Sequence, residues 1–473
     1  MSSLKVPSLD SVTTINQDGS RYHLHVADVR GPFTKWRRLA AIPLLFIYFA
    51  LPWIPFGGYP AMFLDLTNRR FHFFGLTLAT QDAWLLFFLI TGLAFSLFFV
   101  TALFGRIWCG WTCPYTVFLD HLYRRVERWI DGDAAAQRKL YQAPWTIGKI
   151  FRRLLKHSLF ILISGVLANV FLSYFVSIPR LYDMVRHSPL ENFQSFGVVA
   201  FITAAFYFCF SWFREQFCII LCPYGRFQSV LTDEHTMVIG YDEKRGEPRG
   251  KASDPNAGHC IDCRRCVHVC PTGIDIREGL QIECIGCAAC IDACNEVMQK
   301  LDRPKGLVRY DSLLGLRGKA ARWIRPRTVI YTGFLLAGLI VLTSVVRQLT
   351  PLTANLVRMP GPPFFQTQES VRNHFGLRVI NKLHEPARFR LALLEAPGGS
   401  KIVGAEAIRE LPPLGEDLIT VPIETPIPDY QGTYSFRIQI LSEEGKPITS
   451  VVGSFAGPNP RLLPPRTQTG SKS

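Results

Sequence analysis

Cysteine is absent from the chain beyond Cys294, although 13 cysteines occur in the 473 residues. Neither disulfide bonds nor thiolate metal ligands are therefore available to the C-terminal part. The chain also has no G-x-G-x-x-G turn before a helix and no C-x-x-C-H haem-attachment motif, so flavin, nicotinamide and c-type haem binding have no support. The polar start of the chain lacks an apolar core followed by a small-residue cleavage site, and we expect no cleaved signal peptide there.

Charge is scarce as well. Charged residues make up only 19% of the chain, while hydrophobic residues make up 48% and include 35 Phe. This composition indicates a multidomain membrane protein. The net charge of +15 is explained by basic loops on the cytoplasmic side of a membrane, and we expect a lipid bilayer and no nucleic acid as partner.

Long apolar runs occur five times, each close to the ~20 residues that a helix needs to cross a bilayer core. They are Leu39–Phe56, Ala83–Phe104, Ser158–Ile178, Phe196–Phe213 and Thr328–Val346. The first is interrupted by Pro43, Pro52 and Pro55, which membrane helices tolerate. The sequence therefore predicts about five α-helical transmembrane spans.

Lysine and arginine are distributed unevenly between the connecting segments. Gly105–Lys156 contains ten of them and Arg214–Arg327 contains eighteen, whereas Gly57–Asp82 and Pro179–Ser195 contain two each. Because basic loops stay inside, we expect a multi-pass protein of the cell inner (plasma) membrane. Its N-terminus and long basic segments would be cytoplasmic, and its C-terminal part would be periplasmic.

Eight cysteines form two copies of the pattern C-x2-C-x2-C-x3-C, the spacing of two-cluster ferredoxins. In such proteins each triplet of thiolates holds one [4Fe–4S] cluster and the trailing cysteine completes the other. The predicted ligands are Cys260, Cys263, Cys266 and Cys294 for the first cluster, and Cys270, Cys284, Cys287 and Cys290 for the second. Zinc is disfavoured, because its sites usually use paired C-x2-C knuckles. The segment therefore predicts a cytoplasmic, two-cluster, ferredoxin-like α+β insert.

A second pattern, C-x3-C-P-Y-x-x-F, is repeated at Cys109–Phe118 and Cys218–Phe227, and a basic residue (Arg106, Arg214) precedes each copy. Proline disfavours helix at the residue before it and suits the first helical position. A helix should begin at Pro114 and, with an apolar stripe opposite its arginines, lie flat on the membrane as far as Ile130.

The four thiols of this repeat, Cys109, Cys113, Cys218 and Cys222, are candidates for a catalytic copper or redox-relay site. Four such thiols could hold a soft ion such as Cu(I) or cycle between dithiol and disulfide, and a helix start beside arginines would favour thiolate at Cys113. The alternative is that they are ordinary buried cysteines, the interpretation we adopt for Cys209.

The C-terminal part has the period-two pattern of half-buried strands. Candidate strands are Leu377–Ile380, Phe389–Leu394, Leu418–Ile423, Tyr434–Leu441 and Thr449–Phe455. Their spacing predicts a small β-sandwich with a docking or structural role.

Together these signals predict six segments. They are a cytoplasmic N-terminal segment (1–38), a four-span membrane domain with both C-x3-C-P motifs (39–232), the ferredoxin-like domain (233–327), the last transmembrane helix (328–347), a periplasmic β-sandwich (351–457) and a disordered tail (458–473).

Three stretches, Gly105–Pro114, Arg214–Gln228 and Tyr241–Gly250, together with the order of the parts, resemble the cytochrome c oxidase accessory protein family, called CcoG or FixG. The resemblance implies an immunoglobulin-like C-terminal domain. It also implies a role in assembling cbb3-type cytochrome oxidase, as a cupric reductase that makes Cu(I) available for the oxidase copper centre. The implied partners are oxidase assembly factors or copper chaperones, and an unidentified cytoplasmic electron donor. Two other functions stay open: a quinol-linked electron-transfer subunit of a partner reductase, and a non-catalytic assembly scaffold.

Overall fold

The computed structural model describes residues 23–56, 58–67, 69–79, 82–347, 350–405 and 407–462. The first 22 residues of the predicted N-terminal segment and most of the predicted disordered tail lie outside the described residues. The chain divides into two compact units. The first comprises the described part of Met1–Pro55 with Pro60–Asp65 and Trp84–Leu342, and the second comprises Phe56–Tyr59, Leu66–Ala83 and the described part of Thr343–Ser473.

Helices dominate the first unit. In chain order the α-helices are α1 (Pro32–Ala50), α2 (Ala83–Phe104), α3 (Ile107–Trp111), α4 (Pro114–Phe118), α5 (Arg124–Asp131), α6 (Ala134–Gln142), α7 (Ile147–Ser173), α8 (Ile178–Arg186), α9 (Phe193–Tyr207), α10 (Pro223–Leu231), α11 (Glu243–Gly246), α12 (Arg265–His268), α13 (Ala289–Lys300), α14 (Leu313–Leu316) and α15 (Pro326–Arg347). Short π-helical segments cover Leu119–Tyr123, Phe208–Phe213 and Phe217–Leu221.

The strands lie mostly in the C-terminal part. They are β1 (Pro55–Phe56), β2 (Tyr59–Pro60), β3 (Met62–Asp65), β4 (Arg70–Phe73), β5 (Leu76–Ala79), β6 (Met237–Tyr241), β7 (Val308–Ser312), β8 (Leu352–Arg358), β9 (Phe365–Gln366), β10 (Ser370–Asn381), β11 (Ala387–Leu394), β12 (Lys401–Ile402), β13 (Arg409–Leu411), β14 (Glu416–Pro426), β15 (Tyr434–Ser442) and β16 (Pro447–Phe455).

Within the described residues, four helices are long and apolar enough to span a membrane, one fewer than the sequence predicts. They are Trp84–Phe104, Ile147–Ser173, Phe193–Phe213 and Pro326–Arg347. The first predicted run, Leu39–Phe56, is not among them. Its helix, α1, begins earlier at Pro32, includes three basic residues, and ends at Ala50, two residues before Pro52. Proline is tolerated inside this helix at position 43, but the turn at 51–54 leaves the apolar part of the helix short.

The C-terminal end of helix α1 nevertheless contacts the far end of α7. The Tyr48 hydroxyl donates a hydrogen bond of 3.0 Å to the Leu167 carbonyl, and the Tyr174 hydroxyl donates one of 2.8 Å to the Tyr48 carbonyl. At the opposite end of α1, the Asp292 carboxylate of α13 accepts a 2.7 Å hydrogen bond from the Thr34 amide. Asp292 therefore caps the start of α1, since carboxylates stabilise unpaired amides there.

The ferredoxin-like part of the first unit has its own small core. Antiparallel strands β6 and β7 pair over their full length, and α12 and α13 pack beside them. Ile239, Val269, Ile291, Met298 and Val308 are buried together with several of the cluster cysteines. Mixed helix and strand around cysteine loops is the predicted α+β arrangement.

The second unit contains two antiparallel sheets, ordered β12-β14-β10-β8 (with β9 also paired to β10) and β13-β11-β15-β16. Side chains from both sheets, including Phe375, Phe389, Phe436 and Phe455, form one buried core. Each of the five predicted strands lies within an observed strand, and β8, β9, β12 and β13 are additional strands. The unit is therefore a β-sandwich.

Candidate functional site

The two cysteine loops share an unusual backbone conformation. Asp262 and Arg264 in the first loop have φ values of 51° and 52°, and the equivalent Gly286 and Ala288 in the second have 67° and 61°. Non-glycine residues rarely adopt positive φ. Alternation of left- and right-handed residues turns successive backbone N–H groups inward, which makes a concave site for an anion. Both loops are thus shaped to surround a negatively charged group.

Within each predicted set of cysteines the structure places several thiols near one another. Burial raises the pKa of Cys294 to about 11, and the nearby Cys260 and Cys263 add to the rise. Burial likewise raises the pKa of Cys284 to about 12, with Cys270 and Cys287 as neighbours. Buried thiols with such pKa values become thiolates only when a metal centre binds them. The donor set and the loop shape therefore fit two [4Fe–4S] clusters.

The two sets differ in exposure. Cys263 of the first set is exposed, whereas Cys287 and Cys290 of the second are buried. Although burial dominates, raising the pKa of Cys287 to about 11, the Arg37 guanidinium lowers it. Cys260 and Cys266 of the first set are buried as well. The two sets therefore differ in the exposed Cys263 of the first and in the arginine beside the second.

The second cysteine loop packs directly on the first C-x3-C-P motif. A Cβ atom added at Gly110 would lie 2.7 Å from the Ile285 carbonyl oxygen and 2.8 Å from the Cys287 Cα atom. From the other side, a Cβ at Gly286 would lie 3.0 Å from the Arg106 carbonyl oxygen. The two backbones are thus in contact through a pair of glycines, and the loop that would hold the second cluster touches the turn that carries Cys109.

Further hydrogen bonds hold this contact. The Tyr310 hydroxyl donates to the Gly286 carbonyl at 2.6 Å and accepts from the Trp111 indole at 3.3 Å. The Arg37 guanidinium donates to the Gly110 carbonyl at 2.5 Å. Side chains from three elements therefore position the loop on the motif.

The four thiols of the repeated motif also lie close together. Cys113 and Cys222 occupy the N-cap positions before Pro114 and Pro223, as predicted, and neither thiol accepts a capping hydrogen bond. Burial raises the pKa of Cys109 to about 12, with Cys113 and Cys222 adding to the rise and Arg106 opposing it. Burial also raises the pKa of Cys218, to which Cys113 and Cys109 contribute. At Cys109 the effect of burial on the pKa thus outweighs that of Arg106.

Copper is not supported by this geometry. Among the described residues, no group of three or more His, Cys, Asp or Glu side chains is close enough to hold one metal ion. The four thiolates of a cubane cluster lie farther apart than the ligands of a single ion, so this distance limit does not apply to the two cysteine sets. Cys209 lies outside the repeated motif in the sequence. Its backbone carbonyl accepts a hydrogen bond of 2.9 Å from the Tyr115 hydroxyl.

Each motif also holds the other in place. The Arg106 guanidinium before the first motif donates to the Gln228 side-chain oxygen and to the Gly225 carbonyl of the second. The ring of Tyr115, from the first motif, stacks on Phe217 with centroids 4.3 Å apart. The sequence analysis noted Arg106 but did not predict that Tyr115 and Gln228 join the two motifs. The repeated Tyr of the motif was the available signal for Tyr115.

The helix that begins at Pro114 continues through α4, a π-helical turn and α5 to Asp131. Its predicted position flat on the membrane, with its arginines on one polar face, is wrong for Arg124, which is buried. Arg124 pairs with Asp120 at 2.6 Å and with Glu215 at 3.4 Å. Arg124 therefore faces the protein, where two carboxylates pair its charge.

The rest of this ion-pair cluster joins the helix to α7 and to the second motif. Glu127 lies 2.5 Å from Arg214, and Asp131 lies 2.5 Å from Lys156. Although burial opposes ionisation, Arg214 and Lys156 hold the pKa of Glu127 at about 2. Buried charges are tolerated only with such partners.

Three protein-family models match the chain. A "4Fe-4S dicluster domain" matches residues 213–313, a "4Fe-4S binding domain" matches residues 83–132, and a model described as the "IG-like fold at C-terminal of FixG" matches residues 342–458. The second match contains only Cys109 and Cys113 of the cysteines.

Among curated proteins, Protein RdxA of Cereibacter sphaeroides is 35% identical, over 89% of this chain and 94% of its own. The nitrogen fixation protein FixG of Rhizobium meliloti is 33% identical, over 80% of each chain. A crystal structure of a FixG-related protein from Vibrio parahaemolyticus is 15% identical, covers 23% of this chain and 97% of its own, and has a TM-score of 0.19.

Proposed function

The chain belongs to the FixG family of membrane iron–sulfur electron-transfer proteins, and from that premise we propose that it reduces Cu(II) to Cu(I) during assembly of a cbb3-type cytochrome oxidase. The observation that carries the proposal is the glycine-to-glycine contact between the second cysteine loop and the turn that bears Cys109. It supports the proposal because the loop that carries Cys284 and Cys287 touches the segment that carries Cys109.

The residues of the two cysteine sets have distinct tasks in this proposal. Cys260, Cys263, Cys266 and Cys294 hold the first cluster, where Cys263 is exposed and open to a cytoplasmic electron donor. Cys270, Cys284, Cys287 and Cys290 hold the second cluster. Two adjacent clusters supply single electrons when bound. Arg37 and Tyr310 keep the second cysteine loop against Gly110.

Cys109, Cys113, Cys218 and Cys222 are the proposed receiving site. Soft thiolates stabilise Cu(I) over Cu(II), so the site favours the reduced product. Because the four thiols are not arranged for a single ion in this structure, binding requires their side chains to rotate toward one another. Released Cu(I) would pass to assembly factors or copper chaperones of the oxidase.

The proposed topology places the ferredoxin-like part in the cytoplasm and the sandwich in the periplasm, because basic residues concentrate in the two segments beside the clusters. A cytoplasmic N-terminus in addition requires α1 to serve as a fifth crossing. The part of α1 that follows its basic residues, from Leu39 to Ala50, spans ~18 Å at 1.5 Å per residue, so a crossing of the ~30 Å bilayer core also needs the residues after Ala50.

A single-turnover experiment tests the proposal. Anaerobic, dithionite-reduced protein freed of excess reductant is mixed with Cu(II), and electron paramagnetic resonance follows both the cluster signal and the Cu(II) signal. We expect both signals to decrease together. We expect the variant with Cys109, Cys113, Cys218 and Cys222 all replaced by Ser to keep its clusters and lose most of the copper reduction.

Cys209→Ser is the matched control, because it alters a cysteine outside the motif and should leave the rate unchanged. Undiminished copper reduction in the quadruple variant would exclude the thiols as the receiving site. Loss of oxidase assembly in cells, with copper reduction intact, would instead favour the scaffold role.

A further inference from the structure

A cavity of ≈ 170 Å³ lies between the membrane end of α2 and the second cysteine loop. Its lining includes Phe104, the last residue of a membrane span, and both Cys284 and Gly286 of the loop. A volume of this size is below the ~300–1,000 Å³ of sites that enclose drug-sized ligands. It therefore suits a single ring and excludes a nucleotide or a flavin.

The position of the cavity matches a ligand that arrives from the lipid. Phe104 contacts Trp323, with ring centroids 5.8 Å apart, just before α15 enters the apolar region. Tryptophan at a span end marks the membrane interface. On the other rim, Leu280 and Ile282 are 46% and 61% exposed. Such exposed apolar side chains on a polar domain fit contact with an apolar chain rather than with water.

The polar groups of the cavity are few. The lining also contains Arg106, Thr232 and Tyr310 beside Gln228 and Gln281. The Arg106 guanidinium donates to the side-chain oxygen of Gln228, and the side-chain nitrogen of Gln281 donates to the Asp275 carbonyl at 2.8 Å. The atoms of the two amides that these bonds do not use are a nitrogen donor and an oxygen acceptor, which suits a ring with two oxygen substituents.

From this combination we propose that the cavity is a binding site for the headgroup of a membrane quinol. The ring occupies the cavity, and the isoprenoid tail leaves past Leu280 and Ile282 toward the lipid. In the oxidation the two O–H bonds of the quinol break, and two protons go to water at the mouth of the cavity. The two electrons would pass singly to the two clusters that the cysteine sets hold when loaded, one electron to each. The inference replaces the cytoplasmic donor at Cys263 by a membrane quinol as the electron source for the proposed function, on which it rests; the binding itself does not depend on that function.

Binding is measured directly on the whole protein in nanodiscs free of quinone, with decyl-ubiquinone as the probe. Quenching of tryptophan fluorescence gives the affinity, and a photoreactive azido-quinone followed by peptide mapping gives the location. We expect saturable binding and an adduct within the segment 280–286 or near Phe104.

Two variants make the test specific. Ile282→Asp places a charge at an exposed rim position, where folding is insensitive, and should weaken binding at least 10-fold. Leu190→Asp is the matched control, because Leu190 is an exposed apolar residue (86%) remote from the cavity lining, and it should bind as wild type. Gln281→Leu should weaken binding about 2- to 10-fold, the value of one hydrogen bond.

The outcomes separate the two proposals. Equal binding by Ile282→Asp and wild type, an adduct elsewhere, or non-saturable partition alone would overturn the quinol site. If quinone does not bind while the reduced protein still reduces Cu(II), the site is refuted and the proposed function stands. If quinone binds as described and Cu(II) does not oxidise the clusters, copper reduction is refuted and the site stands.

Discussion

Replacing Gly110 by Ala tests the contact between the second cysteine loop and the first motif. The added Cβ would lie 2.7 Å from the Ile285 oxygen, 2.8 Å from the Cys287 Cα atom and 2.9 Å from the Cys287 nitrogen. All three are backbone atoms, so no side-chain rotation relieves the overlap. Restoring a contact of 3.4 Å moves the loop by about 0.7 Å, at a cost of ~1–3 kcal/mol typical of overpacking.

The expected result is confined to one cluster. In the reduced Gly110→Ala protein, the electron paramagnetic resonance spectrum and midpoint potential of the cluster held by the Cys284 loop should change, and electron transfer to Cu(II) should slow. The other cluster should be unaltered. Gly148→Ala is the control, since a Cβ there meets nothing within 4 Å. Wild-type spectra, potentials and rates in Gly110→Ala would refute the contact.

Three further changes probe the scaffold. Gly31→Ala should detach α1 from α13, because the new Cβ would lie 2.3 Å from the Asp292 side chain. Loss of the cap costs ~0.5–2 kcal/mol, so the cluster absorbance should bleach at a lower temperature than in wild type. An unchanged bleaching temperature would argue against the cap. Arg214 and Lys156 hold the pKa of Glu127 at about 2 against the effect of burial. Because this pKa is lower in the folded state than the value of about 4.5 in the unfolded chain, Glu127 stabilises the fold fully at pH values above 4.5, and this contribution is lost as the pH falls toward 2. The Glu127→Gln variant should therefore melt below wild type at pH 7, with a smaller gap at pH 4 in helical circular dichroism; a constant gap would contradict the ion pair. Phe436→Ala should lower the free energy of unfolding of the sandwich by ~3–5 kcal/mol, seen calorimetrically as a shift in one transition, with the cluster transition fixed.

Local chemistry made much of this structure predictable. Proline suits the first position of a helix, so the start at Pro114 followed from the motif. Period-two alternation helped to locate the strands, since a sandwich strand has one buried face. The spacing of the eight cysteines predicted two sets of cluster ligands from the sequence alone.

Tertiary contacts were not predictable in the same way. Nothing in the pattern of the interfacial helix distinguishes Arg124, whose partner Glu215 is 91 residues away, from arginines facing water. The closeness of Gly110 and Gly286 also depends on how two distant segments dock. The length of the first apolar run was overestimated. Pro43 lies inside the helix, whereas the helix ends just before Pro52, and hydropathy does not distinguish these two prolines.

Iron and acid-labile sulfide content of the anaerobically purified protein tests the central claim, that two cysteine sets of this chain hold two cubane clusters. We predict about eight iron and eight sulfide per chain, from two clusters of four, falling by about half in both Cys294→Ser and Cys284→Ser, which alter different sets. Zinc without sulfide, or loss of the same cluster signal in both variants, would contradict the account.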